Sequence, residues 1–145
     1  MRGQRLQRRG GSVGIAKLAP EAAIPDWASD DRSPVRSVTR TADELSIVAA
    51  WDAIPESIPR EGPFVALAVE GPLDFGLTGV LASLAAPLAT AEIPIFVLST
   101  FETDWLLVRE ERFGEAVRAL RGAGHTVLAE GGDDDGTSDS RDRRP

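Results

Sequence analysis

The chain has 145 residues, 42% of them hydrophobic, and a formal net charge of -7. This length suits one compact domain or two small fused subdomains, and the hydrophobic content is enough to build a core. The negative charge argues against broad nucleic-acid binding, because a protein that neutralises phosphates needs a basic surface. The lack of cysteine excludes disulfides and thiolate metal sites, and we expect a cytoplasmic protein.

The two ends of the chain differ in composition from its middle. Residues 1–11 are glycine-rich and carry Arg2, Arg5, Arg8 and Arg9. We expect a disordered basic tail there, which is either solvated or the result of a misplaced start codon. Contact with an anionic partner is the alternative explanation for its arginines. Residues 130–145 hold almost nothing apolar, so burial cannot offset the entropy of ordering, and we expect a disordered acidic tail.

Neither end suggests a membrane or secreted protein. The basic N-terminal segment lacks the apolar stretch of a secretory signal. No run in the sequence approaches the roughly 20 apolar residues that a membrane helix needs. We therefore expect neither secretion nor a membrane span.

The second half of the chain alternates between strand-like and helix-like patterns. The predicted elements are a strand at 64–69, a helix at 78–91, hairpin strands at 95–100 and 105–109, a helix at 110–123 and a strand at 126–128. This βαββαβ order is typical of a ferredoxin-like fold, an antiparallel sheet with both helices on one face. Pro87 cannot donate to the Ser83 carbonyl, so we expect a kink or a loosened last turn.

The first half is a weaker version of the same pattern. Strands are predicted at 12–18, 35–39 and 44–49, with a short helical piece at 51–56. Residues 19–34 contain three prolines where a long helix would be expected. We predict an α+β chain of two tandem ferredoxin-like subdomains, a degenerate one at 12–62 and a complete one at 63–129.

Two polar segments of the second half suggest a ligand pocket. Residues 70–79 form a glycine-containing loop between a strand and a helix, where main-chain N–H groups and a helix N-terminus favour an anion. Residues 98–104 form a polar turn between two apolar strands, and its Asp104 would suit a cation. Together they predict a pocket for a molecule with both charges, such as a free amino acid.

These segments also resemble a known family. Residues 69–84 (VEGPLDFGLTGVLASL) and 95–108 (IFVLSTFETDWLLV) resemble small bacterial proteins with tandem ACT domains. The ACT units of those proteins are similar to those of the CASTOR arginine sensors and of aspartate kinase. Residues 39–48 resemble the T-x-x-E-x-S signature of the first ACT unit. The resemblance covers roughly 12–128, and its motifs are specific in combination although each alone is weak.

The resemblance implies a non-catalytic regulatory module that binds an amino acid where ACT units meet. The matching positions are Glu70, Gly71, Asp74, Phe75, Gly76, Leu77 and Thr78 in the loop, Thr100, Phe101 and Asp104 in the turn, and Ser46 with Ile47 in the first subdomain. The loop N–H groups would hold the α-carboxylate, and Asp104 would accept bonds from an ammonium or guanidinium. The identity of the amino acid is open, and arginine is indicated by analogy only.

Each of these residues has a structural alternative. Asp104 would cap the hairpin turn, while Glu70 and Asp74 would be solvated loop carboxylates. The loop glycines would serve backbone geometry alone. Phe75 would be either an anchor of the loop or a wall of the pocket.

The sequence offers no catalytic set. His125 is the single histidine, and no nucleophile or orienting carboxylate is placed beside it. A metal site would have to rely on carboxylates, and the Asp133–Asp135 run lies in the predicted disordered tail. Neither nucleotide-binding glycine motif is present. We therefore predict no enzymatic activity, no cofactor and no metal.

Two functional hypotheses remain. In the first, the protein is a sensor whose amino-acid occupancy changes its self-association or its contact with a protein target. In the second, the ACT units have lost their ligand and act only as an assembly or interaction module. A homo-oligomer is expected in both cases, and the small side chains Ala85, Ala86 and Ala89 would allow close helix packing.

Overall fold

The computed structural model describes residues 3–71 and 78–129. Its strands and helices are β1 (Arg5–Leu18), β2 (Ser37–Arg40), β3 (Leu45–Ala50), β4 (Arg60–Val69), α1 (Val80–Thr90), β5 (Ile95–Ser99), β6 (Asp104–Arg109), α2 (Phe113–Gly122) and β7 (Thr126–Leu128). Short 3-10 turns cover Asp26–Ser29, Trp51–Ala53 and Glu110–Arg112. The fold class is α+β with a ferredoxin-like arrangement, as predicted.

The chain divides into two compact units. The first unit is Gly10–Ala66, and the second unit combines Met1–Arg9 with Leu67–Pro145. The long strands β1 and β4 are each divided between the two units. Strand β1 belongs to the second unit up to Arg9 and to the first from Gly10, and β4 belongs to the first unit up to Ala66 and to the second from Leu67. The division therefore falls after Ala66, where we had predicted a boundary after Glu61-Gly62.

In the second unit, β4, α1, β5, β6, α2 and β7 follow the predicted βαββαβ order. Strand β6 lies between β4 and β5, and β5 pairs antiparallel with β6 from Ile95↔Val108 to Ser99↔Asp104. The start of β1 lies beside β4 and pairs in parallel with β7, with Leu6 opposite Val127. The N-terminal strand thus completes the sheet of this unit by lying between its first and last strands.

Both helices of the second unit cover the same face of its sheet. The alternating residues of β4 and β6 point into this core, as period-two strands require. The core residues are Leu6, Leu67, Val69, Leu106, Val108 and Val127 from strands, Val80, Leu84, Leu88, Ala116, Val117 and Leu120 from helices, and Ile93 from a loop. Burial of these aliphatic side chains is the main source of stability for the unit.

Pro87 lies inside α1, and the structure shows how the missing hydrogen bond is replaced. The Ser83 carbonyl oxygen lies 2.9 Å from Nε2 of His125, and Nδ1 of the same ring lies 2.9 Å from the main-chain nitrogen of Gln4. Because the Gln4 N–H donates to Nδ1, the ring proton is on Nε2 and donates to Ser83. The helix continues to Thr90, and Ala91 N–H still bonds to the Pro87 carbonyl at 3.1 Å. The expected loosening of the last turn is not seen.

The first unit is reduced, as predicted. Its strand order is β2-β3-β1-β4, and both β2 and β1 pair antiparallel with β3. No α-helix lies between residues 10 and 66, all of which the structure describes; two 3-10 turns take that place. The core is small and holds Ala16, Ala28, Leu45, Ile47, Ala49 and Ile54, with Leu18, Ala22, Trp27 and Ile58 packed against it.

An indole ring takes part of the space that a helix would fill in the first unit. A β-carbon on Gly14 would lie 2.6 Å from Cε3 of Trp51, and one on Gly62 would lie 2.9 Å from the same atom. Only glycine allows the ring to approach the sheet backbone this closely. The guanidinium of Arg60 lies 4.0 Å from the centre of the indole. Trp51 is therefore held between the strands and a cation.

The connection between β1 and β2 is ordered by an ion pair rather than by a helix. The Arg32 side chain donates to both carboxylate oxygens of Asp30, at 3.0 and 2.8 Å, and its main-chain N–H donates at 2.9 Å. These hydrogen bonds from Arg32 lower the pKa of Asp30 to about 2. The pair fixes the turn that follows Asp26–Ser29.

The prediction of a disordered tail at residues 1–11 is wrong for residues 5–11, which begin β1. The guanidinium of Arg8 lies 4.7 Å from the centre of the Phe113 ring, and that of Arg9 lies 5.7 Å from the Trp105 ring. Cation–π contacts and two flanking strands hold a segment whose composition alone suggests disorder. Arg2 and the predicted acidic tail lie outside the described residues.

Strand β4 also begins earlier than predicted, at Arg60 rather than Phe64. It runs through Gly62-Pro63, the dipeptide that directly precedes the predicted start of the strand. Across residues 3–71 and 78–129, no helix is long and apolar enough to cross a bilayer.

Candidate functional site

Glu70, the first predicted loop residue, is held by Arg5. Its main-chain N–H donates to the Arg5 carbonyl at 2.7 Å, and its Oε1 accepts from Arg5 Nε at 2.9 Å. Both side chains are about half exposed, at 48% and 55%. Glu70 is therefore neither a lone solvated carboxylate nor the source of an unused N–H group.

The other end of the loop leads into the N-terminus of α1. Gly79 caps the helix with φ = 83°, a left-handed conformation that favours glycine. No side chain caps this helix, and its first turn carries no acidic residue. The helix end is therefore electropositive and suited to a carboxylate, and the adjacent Thr78 is exposed.

Four of the predicted loop residues fall in the gap of the structure. Asp74, Phe75, Gly76 and Leu77 lie outside the described residues. Their assignment to a ligand site stays a prediction from the sequence. Gly71, at the edge of the gap, is exposed.

The predicted turn between β5 and β6 is closed by Thr100. Its main-chain N–H donates to the Thr103 carbonyl at 2.9 Å, and its hydroxyl accepts from the Thr103 N–H at 3.3 Å. The hydroxyl of Thr100 thus shapes the turn, which is a structural role of the kind that Ser and Thr often take. Phe101 lies at the tip and is 81% exposed.

Thr103, which the sequence analysis did not single out, joins this turn to the end of β4. Its Oγ1 donates to the Val69 carbonyl at 2.6 Å. Val69 directly precedes Glu70, so the loop and the turn lie at the same end of the sheet. A threonine in a turn is a local signal, but its acceptor on a strand 34 residues away is not visible from the sequence.

Asp104 is the first residue of β6 and lies opposite Ser99 in the ladder. The Ser99 hydroxyl donates to Asp104 Oδ1 at 2.7 Å. The carboxylate is partly buried, and this neutral donor does not offset its negative charge. The aspartate therefore both supports the hairpin, as the structural alternative proposed, and presents an anion at the end of the sheet.

The two predicted residues of the first unit have different environments. The Ile47 side chain is 0% exposed and belongs to the hydrophobic core, so it is not the wall of an open pocket. The pattern of β3 explains this, because Leu45, Ile47 and Ala49 share the core face. Ser46 is on the opposite face, opposite Lys17 of β1 and Thr39 of β2.

Ser46 lines a shallow groove within the first unit. The groove has a volume of about 240 Å³ and is lined by Ile15, Ala16, Lys17, Glu44, Ser46, Pro59, Arg60 and Glu61. It contains side chains of both charges around the serine hydroxyl. The structure thus leaves Ser46 accessible to a small polar molecule.

The T-x-x-E part of the upstream signature closes a turn. The Thr41 hydroxyl accepts from the N–H groups of Asp43 and Glu44, at 3.1 and 3.2 Å. Thr41 N–H donates in turn to the Glu44 carbonyl at 2.9 Å. This part of the motif therefore fixes the β2–β3 hairpin that presents Ser46.

The described residues show no catalytic or metal-binding cluster. His125 is 6% exposed, and both of its ring nitrogens are used in main-chain hydrogen bonds. Residues 3–71 and 78–129 contain no group of three or more His, Cys, Asp or Glu side chains able to hold a metal ion.

Protein-family models match both parts of the chain. The model for the ACT domain matches residues 60–122. A second model, for an N-terminal domain, matches residues 11–57. The two matches correspond to the complete and the reduced halves seen in the fold.

Among known proteins, the chain is similar to the human cytosolic arginine sensor for mTORC1 subunit 1. The two are 40% identical over 50 residues, which is 34% of this chain and 15% of the sensor. The matched segment thus spans about 15% of the length of that relative. The same match is found with the sensor from cattle.

Solved structures give a longer match. The crystal structure of an Agrobacterium tumefaciens protein is 41% identical, with a TM-score of 0.82 over 90% of this chain and 96% of that one. The alpha and beta subunits of an aspartokinase have a TM-score of 0.57 at 15% identity, over 81% of this chain and 95% of that one. At this low identity the second similarity shows the fold alone.

Proposed function

This chain belongs to the ACT domain family, and from that premise we propose that it is a non-catalytic, cytoplasmic regulatory module that binds a free amino acid. The observation that carries the proposal is the bond from Thr103 Oγ1 to the Val69 carbonyl at 2.6 Å. It brings the Asp104 turn beside the start of the loop that leads to α1. Two segments with opposite ligand preferences, some thirty residues apart in sequence, thus meet at one end of the sheet.

The two ends of an amino acid fit these two segments. The N-terminus of α1, with Gly79 as its cap and no acidic residue in its first turn, suits an α-carboxylate. The Asp104 carboxylate suits an ammonium or guanidinium through charge-assisted hydrogen bonds. Ser46 lines a separate groove within the first unit, and its contact with a ligand stays a prediction from the family resemblance.

The names of relatives guide the choice of ligand. The human protein that matches 50 residues of this chain is described as an arginine sensor. Arginine is therefore the first ligand to test by analogy. Occupancy would act by favouring one state of self-association or of contact with a protein target, because a ligand shifts an equilibrium only through its different affinities for the two states.

The test is thermal denaturation of the wild-type protein against each of the twenty amino acids. A ligand at 100 times its Kd adds about 2.7 kcal/mol to the free energy of unfolding. Stabilisation by one or a few amino acids would support the proposal and identify the ligand. Equal unfolding temperatures with all twenty would contradict it.

The second candidate is an assembly module without a ligand. Exposed apolar side chains favour it: Phe101 is 81% exposed and Leu81 on α1 is 38% exposed, beside the exposed Ala86 and Ala89. We propose a homo-oligomer in either case. Light scattering after size exclusion tests the homo-oligomer. The denaturation screen separates the two candidates, because only the sensor is stabilised by an amino acid.

A further inference from the structure

The arginines near the N-terminus, to which the sequence analysis gave no function, are bound to the second unit. Arg8 stacks on Phe113 and Arg9 on Trp105. Arg5 alone of these three is paired with a residue of the predicted ligand loop, Glu70. This difference among neighbouring arginines indicates a specific role for Arg5.

The strand fixes the position of Arg5. Its carbonyl accepts the Glu70 N–H at 2.7 Å on one side, and on the other side Arg5 lies opposite Thr126 of β7. Thr126 N–H donates to the adjacent Gln4 carbonyl at 2.8 Å. Because both neighbours hold the backbone, the guanidinium is positioned over the Glu70 carboxylate by the sheet.

The pair changes the charge of the candidate site. Glu70 and Asp104 lie at the same end of the sheet, since Val69 and Thr103, which directly precede them, are joined by a hydrogen bond. Two negative charges there would repel the α-carboxylate of a ligand. The Arg5 guanidinium, 2.9 Å from Glu70 Oε1, compensates one of them and leaves the charge of Asp104.

We propose that Arg5 is a positioning residue that sets which ligand charge the site accepts. With Glu70 paired, the described residues of the site, Arg5, Glu70 and Asp104, carry one net negative charge, and the site admits an amino acid with a carboxylate and one cationic side chain. Without Arg5, the site favours molecules that lack the carboxylate. This inference rests on the proposed function.

The experiment compares L-arginine with L-argininamide, which has the same side chain and no carboxylate. Titration calorimetry gives the ratio of their affinities for wild type and for Arg5→Gln. We expect the ratio of arginine to argininamide affinity to fall about fivefold in Arg5→Gln, the upper end of the effect of an exposed ion pair. A purely structural defect would weaken both ligands alike and leave the ratio unchanged.

Three further variants complete the test. Arg5→Gln combined with Glu70→Gln should restore the wild-type ratio, because the uncompensated carboxylate is gone. Arg5→Lys should keep the wild-type ratio, because lysine retains the positive charge. Arg8→Gln is the matched control, since it removes the same charge from the same strand but its partner is Phe113.

The outcomes separate this inference from the function on which it rests. An unchanged ratio in Arg5→Gln, or an equal shift in Arg8→Gln, overturns the role of Arg5 while amino-acid binding stands. Failure of L-arginine to bind wild type, when another amino acid stabilises it, also overturns this inference alone. If none of the twenty amino acids binds, both fail.

Discussion

The two hairpins of the molecule, β2–β3 in the first unit and β5–β6 in the second, are closed by the same turn. Thr41 N–H donates to the Glu44 carbonyl and Thr100 N–H to the Thr103 carbonyl, both at 2.9 Å. Each threonine hydroxyl also accepts the N–H three residues on, at 3.2 and 3.3 Å. The repeat that was weak in the sequence is therefore clear in the hydrogen bonds.

The residues next to these turns differ. In the first unit the turn is flanked by the pair Arg40↔Leu45, and Leu45 is a core residue. In the second unit the pair is Ser99↔Asp104, which presents a carboxylate. The same turn thus stands beside a core residue in one unit and beside a carboxylate in the other, so the proposed ligand contact lies beside the turn rather than within it.

The units also cover their sheets differently. The second unit uses two helices and a core of leucine and valine. The first has an alanine-rich core and fills space with Trp27 and with Trp51 against glycine backbone. We expect the helix-covered unit to lose more stability from the loss of one aliphatic side chain, and the reduced unit to be sensitive to added volume.

The largest effect should come from the core of the second unit. Leu84→Ala, at a position that is 0% exposed on α1, should lower the free energy of unfolding by about 3 kcal/mol. Urea denaturation measures the change. Leu81→Ala, the same substitution at an exposed position of the same helix, should cost less than about 1 kcal/mol. Equal losses would mean that α1 does not form the core as described.

A smaller loss should follow from His125→Phe. The variant leaves the Ser83 carbonyl and the Gln4 N–H without their ring partners, at a cost of about 2 kcal/mol. Pro87→Ala restores an N–H that can donate to Ser83, so it should stabilise the His125→Phe variant more than it stabilises wild type. A double-mutant cycle by urea denaturation measures this coupling. Additive effects would contradict the replacement of the helix bond by His125.

The first unit should respond to added volume at Gly14. Gly14→Ala forces the Trp51 ring or the strand to move, and we expect a loss of about 1.5 kcal/mol. Gly114→Ala in α2 is the control, because the added methyl meets only Arg118 Nη1 at 3.7 Å and alanine favours a helix, with a gain of about 0.5 kcal/mol. A neutral Gly14→Ala would show that Trp51 does not depend on close approach to the sheet.

Local patterns predicted most of the fold. The strand at Thr126–Leu128 and the helices α1 and α2 follow from apolar periodicity and from glycine or charged residues at their ends. The strand at Arg5–Gly11 was missed because its stability comes from neighbours distant in sequence: β7 on one side, β4 on the other, and aromatic rings under its arginines. The hydrogen bond from His125 to the Ser83 carbonyl was also missed, because the two residues are 42 positions apart in the sequence.

The polar segments of the candidate site were recognised from the sequence, but the hydrogen bonds that join them were not. The polar turn and Asp104 were visible, since charged and hydroxyl side chains interrupt apolar strands there. The Thr103 bond to Val69 and the Arg5 pair with Glu70 join segments far apart in the chain, so no local pattern contains them. Ile47 was assigned to the site by family resemblance, whereas the alternation along β3 places its side chain in the core.

The most direct test of the account is calorimetric titration of Asp104→Asn with the amino acid that stabilises wild type. Loss of a charge-assisted contact should weaken binding about tenfold or more, while unfolding without ligand stays close to wild type. Glu102→Gln, which removes the same charge from an exposed position of the same turn, should bind as wild type does. Unchanged affinity in Asp104→Asn would contradict the assignment of the ligand cation to this carboxylate, and with it the proposed site.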